Sequence, residues 1–140
     1  MASIKLTLSL LPDQIAICQL EFDADVPVWA FLGEFTSVTR TDDELSIVCR
    51  QVDVPADTRC EMGWRCLKVV GTVDFSLTGV LASLTAPLAQ ADISIFAVST
   101  FDTDYILIKE EQVDKAIGAL SEAGHRFLEQ DGVLEMGDLR

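Results

Sequence analysis

Apolar and polar residues alternate at the start of the chain. Ile4, Leu6, Leu8 and Leu10 are separated by Lys5, Thr7 and Ser9. A period of two puts one set on each face of a pleated strand, so Ile4–Leu11 is predicted as the first strand. Pro12-Asp13 turns the chain, and Gln14–Leu20 returns with Ile15 and Ile17 on one face. Phe22–Val26 carries acids and ends that strand. Pro27 suits the first turn of a short helix, Val28–Leu32, which Gly33 stops. Phe35–Thr39 and Leu45–Arg50 then form a second hairpin around Thr41-Asp42-Asp43. Gln51–Arg59 is polar, contains Pro55, and reads as a linker.

The second half changes period. Arg65–Val70 is a strand ended by Gly71. In Leu77–Gln90, Leu77, Val80, Leu81, Leu84 and Leu88 make one helical stripe, with Ser76 placed to cap it. Pro87 lies inside that stripe and should kink or weaken the last turn. Ile93–Val98 and Tyr105–Ile108 are β-rich runs of strand length joined by the polar loop Ser99–Asp104, a hairpin. Glu110–Ala123 is a helix with Val113, Ala116, Ile117 and Leu120 on one face and Gly124 as its C-terminal stop. His125–Gln130 is a short last strand. The order is strand, helix, strand, strand, helix, strand, an α+β ferredoxin-like βαββαβ unit. The expected division is 1–62 and 63–131, with 132–140 a flexible tail.

The loop between the paired strands is unusual for a simple reversal. Ser99, Thr100, Asp102, Thr103 and Asp104 crowd around Phe101 without the glycine that tight hairpins favour. Polar loops on rigid strands often carry function.

Composition narrows the choices. With 140 residues, 49% of them hydrophobic, the chain can bury a core as one domain or two small ones. A formal charge of −13 repels phosphate backbones and anionic membranes, so neither nucleic acid nor membrane is an expected partner. No apolar run is long enough to span a bilayer, and the alternating N-terminus reads as a strand rather than a leader. A cytosolic protein is expected. Cys18, Cys49, Cys60 and Cys66 show no C-x-x-C spacing. Cys18 and Cys49 read as buried free thiols, and a Cys60–Cys66 disulfide does not suit a reducing compartment.

A free amino acid needs donors for its carboxylate and acceptors for its ammonium. The start of the helix Leu77–Gln90 offers unpaired N–H groups and a positive dipole end. Gly79 would let a ligand approach that backbone. Asp104 can accept from an ammonium or, bidentately, from a guanidinium. Ser99 and Thr100 add hydroxyls, and Phe101 can stack on or shield a ligand. Plainer readings stand beside these: Ser76 as a cap only, Gly79 as a packing glycine, Phe101 as core, Asp102 and Thr103 as turn formers, and Asp104 paired with Arg65 or Lys68. His125 reads as a solvated turn residue. Asp102 and Asp104 would share a face if both lay in a strand, but no histidine accompanies them for a metal. No nucleophile–base array or phosphate loop is evident, so neither catalysis nor a cofactor is expected.

The segment LTGVLASLTAPLAQADISIFAVSTFDTDYILI, with GWRCLKVVG and DFSLTG before it, resembles the ACT-domain family. It is most similar to the branch of short bacterial tandem-ACT proteins that is itself similar to the animal cytosolic arginine sensors. The first half, with TDDELSIVC, resembles the degenerate partner domain of that branch. The resemblance implies two ferredoxin-like units in tandem and an amino acid bound where ACT units meet. Carried over by motif, it implies ligand contacts at Asp74, Phe75, Ser76, Leu77, Thr78 and Gly79, and at Thr100, Phe101 and Asp104. The expected function is regulatory amino-acid binding without catalysis, in a homodimer. The rival is a ligand-free module for dimerisation or protein interaction, pairing with itself or a larger partner, and a third reading is a small enzyme built on Asp102 and Asp104.

Overall fold

The computed structural model describes residues 4–71 and 79–128. Its strands are β1 (Thr7–Leu10), β2 (Ile15–Leu20), β3 (Ser37–Arg40), β4 (Leu45–Arg50), β5 (Cys60–Val69), β6 (Ile95–Ser99), β7 (Asp104–Lys109) and β8 (Arg126–Leu128). Its α-helices are α1 (Val80–Gln90) and α2 (Val113–Glu122). The chain forms two compact units. One is Asp13–Trp64, here the strand unit; the other joins Met1–Pro12 to Arg65–Arg140 and is here the helical unit.

In the strand unit β4 lies between β3 and β2, antiparallel to both, and β2 pairs on its other edge with the first residues of β5. The expected β3–β4 hairpin closes through Thr41. Its hydroxyl accepts from the N–H groups of Asp43 at 3.1 Å and Glu44 at 3.2 Å. The short helix expected at Val28–Leu32 is instead a single 3-10 turn, Val28–Phe31, led in by Pro27. Gly33 follows because a Cβ there would come within 2.8 Å of the Arg50 Cβ. The expected linker is largely tied down. Gln51–Asp53 is another 3-10 turn, Asp53 takes the Arg50 guanidinium bidentately at 2.9 and 3.1 Å, and Val54 packs on the core. That core is built from Ala16, Cys18, Ala30, Leu45, Ile47 and Cys49.

The helical unit runs β5, α1, β6, β7, α2, β8, the expected βαββαβ order. β7 pairs with β5 and β6. One strand departs from the expected division at 62/63. β1, assigned by sequence to the first half, is antiparallel to β5, with Leu8 opposite Val69, and parallel to β8, with Leu8 opposite Phe127. It therefore stands between the first and last strands of the βαββαβ unit. It also begins at Thr7 rather than Ile4, because the Leu6 N–H is spent on the His125 ring at 3.0 Å.

The buried stripe of α1, Val80, Leu84 and Leu88, matches the predicted periodicity. Leu84 and Leu88 meet Leu8, Val69, Ile106, Ile117, Leu120 and Phe127 in one aliphatic core. α2 ends as its Gly124 predicts. Gly124 takes φ +100°, its N–H donates to the Ser121 carbonyl, and the His125 N–H to the Leu120 carbonyl, the Schellman pattern. Among the described residues no helix is long and apolar enough to cross a membrane.

Candidate functional site

The hairpin of β6 and β7 is regular up to its tip. Ile95 faces Ile108, Ala97 faces Ile106, and the last pair is Ser99 with Asp104. The expected loop is thus shorter by one residue at each end. Ser99 Oγ donates to Asp104 Oδ1 at 2.5 Å, a charge-assisted bond across the end of the ladder. Four residues remain to turn the chain. The Thr100 N–H donates to the Thr103 carbonyl at 2.9 Å, and the Thr100 hydroxyl donates to that same carbonyl at 3.1 Å. Two hydroxyl-bearing residues do what a glycine would otherwise do by φ alone.

Thr103 was expected only to order the turn, and it does more. It is 4% exposed, and its hydroxyl donates to the Val69 carbonyl at 2.7 Å. Val69 ends β5, from which the chain leaves toward α1. The side chain therefore anchors the hairpin tip to the start of that connection. Flanked by Asp102 and Asp104 in the chain, Thr103 carries no local sequence signal of that burial.

Phe101 is 82% exposed, which removes the reading of it as core. Asp104 does not take Arg65 or Lys68 as a side-chain partner in the bonds seen. Arg65 donates to the Leu11 carbonyl at 2.8 Å and to Glu110 at 3.4 Å. Asp102 lies in the turn and only Asp104 in a strand, so the two carboxylates do not share a strand face. Among the described residues, no three His, Cys, Asp or Glu side chains are grouped to hold a metal ion.

The other half of the expected site is partly described. Gly79 directly precedes α1 with φ +82°, and its carbonyl accepts from the Ser83 N–H at 2.9 Å. A Cβ there would meet only Ile4 Cδ1 at 3.5 Å, an ordinary contact. The left-handed backbone, not a tight approach, is what calls for glycine. Asp74, Phe75, Ser76, Leu77 and Thr78 lie outside the described residues. So does the expected helix start at Leu77.

His125 is the clearest departure from the sequence reading. It is 4% exposed rather than solvated. Its Nδ1 accepts from the Leu6 N–H, so the ring proton sits on Nε2, 2.9 Å from the Ser83 carbonyl. That carbonyl is four residues before Pro87, which has no N–H to give it. The histidine thus fills the gap that the proline leaves, and α1 runs on to Gln90 without ending early. In β5, burial pushes the Cys66 thiol up to about 12. Burial also raises the Tyr105 phenol, helped by Cys66 and Asp102.

An open cleft of about 320 Å³ lies elsewhere, lined by Asp13, Gln14, Arg50, Gln51, Val52 and Met62 of the strand unit. The described residues of the expected ligand set, Gly79, Ser99, Thr100, Phe101 and Asp104, belong to the helical unit.

The sequence profile of the ACT domain matches residues 59–122, which take in β5 through α2. Those residues form an ACT domain. A second profile, described as an N-terminal domain, matches residues 13–57. A crystal structure of a protein from Agobacterium tumefaciens superposes with a TM-score of 0.87 at 40% identity, covering 91% of this chain and 96% of that one. The cytosolic arginine sensor for mTORC1 subunit 1 of Homo sapiens is 36% identical over 58 residues. That stretch is 41% of this chain and 18% of the sensor, so the chain spans less than a fifth of that relative's length. The ligand-free regulatory subunit of aspartate kinase from Thermus thermophilus gives a TM-score of 0.57 at 12% identity, covering 84% of this chain and 97% of that one. At that identity the likeness is one of fold.

Proposed function

We propose that this chain is a small regulatory protein whose ACT domain binds an amino acid, not an enzyme. The ligand sits at an interface between ACT units. The N-terminus of α1 and the preceding residues 74–79 hold its carboxylate, and the STFDTD tip holds its cationic end. The observation that carries this reading is the Thr103–Val69 bond. It ties the hairpin tip to the end of β5, where the segment leading to Gly79 begins. Asp104 is the acceptor, and its carboxylate suits an α-ammonium or a guanidinium. Arginine is the first ligand to test, since a similar protein is named an arginine sensor. The working form is a cytosolic homodimer with the first half as a degenerate second unit. Ligand then favours one arrangement of units by binding it more tightly.

Thermal melts against each common amino acid test the reading. A ligand at 100 times its Kd should stabilise the fold by about 2.7 kcal/mol. Asp104→Asn should erase that gain while leaving an oxygen for the Ser99 hydroxyl. A flat panel would overturn it.

One observation favours the rival reading, a ligand-free dimerisation module. Val28 and Phe31 on one short turn of the strand unit, and Leu32 just after it, are 79%, 61% and 59% exposed. A flat melt panel with a dimer by light scattering is the result that reading requires.

A further inference from the structure

Three of the four thiols, Cys18, Cys49 and Cys60, gather in the core of the strand unit. Cys18 and Cys49 are 2% and 0% exposed, whereas Cys60 is half-buried. The neighbouring Cys49 thiol, then burial and the nearness of Cys60, push the Cys18 thiol well up, so it rests protonated, while Cys18 in turn lowers the Cys49 thiol.

The strand register selects one pair of sulfurs. Cys18 of β2 lies directly opposite Cys60 of β5. The Gln19 N–H donates to the Arg59 carbonyl at 3.0 Å, which makes that neighbouring pair the hydrogen-bonded one. Cys18 and Cys60 are therefore a non-hydrogen-bonded antiparallel pair, with Cα atoms about 4.5 Å apart, inside the span of about 4.4–6.8 Å that a disulfide bridges. Cys49 lies opposite Ala16, diagonal to Cys18. Diagonal neighbours stand about 7–8 Å apart, too far for a bridge without backbone movement.

We propose that Cys60 and Cys18 form a reversible oxidation site that takes a hydroperoxide. The Cys60 thiolate attacks one peroxide oxygen, the O–O bond breaks, and the remaining oxygen leaves with a proton as an alcohol or water. Cys60 becomes a sulfenic acid. The Cys18 sulfur then attacks the Cys60 sulfur, forming S–S and breaking S–O. The departing hydroxide takes the Cys18 proton and leaves as water. Two thiols are oxidised and one peroxide is reduced. The product staples β2 to β5, and an external dithiol restores both thiols. This site is independent of the amino-acid reading, because all its residues lie in the strand unit.

The sequence makes the test direct. Cleavage after Lys and Arg puts Cys18 in Leu6–Arg40, Cys49 in Thr41–Arg50, Cys60 in Cys60–Arg65 and Cys66 in Cys66–Lys68. The full chain is treated with hydrogen peroxide, blocked with an alkylating agent, digested and read by mass spectrometry. The expected product is Leu6–Arg40 joined to Cys60–Arg65, with the intact chain lighter by about 2 Da for two hydrogens. Dithiothreitol should reverse it, Cys60→Ser should abolish it, and Cys49→Ser should retain it. Four free alkylated peptides, a Cys60 carried to sulfinic or sulfonic acid, or Cys60 joined to Cys49, Cys66 or another chain would each overturn the proposal.

Discussion

The two units solve the same packing problem differently. In the helical unit, α1 and α2 supply Leu84, Leu88, Ile117 and Leu120 to a core completed by Leu8, Ile106 and Phe127. The strand unit, described in full from residue 13 to 64, has two 3-10 turns and no α-helix. Its core is built of smaller groups, among them Ala16, Ala30, Cys18 and Cys49. Large apolar side chains are correspondingly left outside: Phe22, Val28, Phe31, Leu32, Val38, Val52 and Met62 are exposed there, against Val70 and Phe101 among the described residues of the helical unit. A sheet needs a second layer to bury one face. A helix lays down a stripe of large residues, while a single turn can bury only one or two. The fold therefore concentrates burial energy in the ACT domain and leaves the strand unit with apolar surface.

The widest test of that contrast pairs a buried with an exposed truncation. Leu84→Ala, at 1% exposure, should cost about 2–5 kcal/mol in urea unfolding. Val28→Ala, at 79% exposure, should stay within about 0.5 kcal/mol. Equal costs would break the comparison. Next in size is His125→Leu, which strands the Leu6 N–H and the Ser83 carbonyl, at about 1–3 kcal/mol for each group. Pro87→Ala in that background should recover part of the loss by returning an N–H to Ser83. Without His125 substituted, Pro87→Ala should gain less, and this non-additivity is the signature of the shared carbonyl. Thr103→Val should cost about 1–3 kcal/mol by leaving the Val69 carbonyl unpaired, and Ser99→Ala, on the exposed pair, only a few tenths.

The smallest effect at neutral pH concerns Cys66. Its thiol is raised in the fold from 9.0 to about 12. The neutral thiol is the favoured native form, so its contribution is complete below pH 9 and is lost as pH rises toward 12. Urea midpoints measured up that range should fall for the natural chain and fall less for Cys66→Ala.

Legibility followed the range of the interaction. The α1 stripe, the hairpin runs and the Gly124 stop depend on residues within a few positions, and each was readable. Ser99, Thr100, Phe101 and Asp104 were readable as one polar tip for the same reason, and they do share one hairpin. The Ser99–Asp104 bond adds that the proposed acceptor already has a local donor. Thr103 was misjudged because its partner, Val69, is distant in the chain.

The sequence by itself determined where the chain is pleated and where it coils, because side-chain period is a local property of the backbone. It also determined the family likeness and the polar character of the hairpin tip. Only the tertiary structure decided that β1 lies beside β8, that His125 is buried to serve a carbonyl freed by Pro87, and that Cys18 faces Cys60. Each of these joins residues far apart in the chain, and their pairing is selected by the burial and hydrogen bonding of the whole unit rather than by any neighbouring residue.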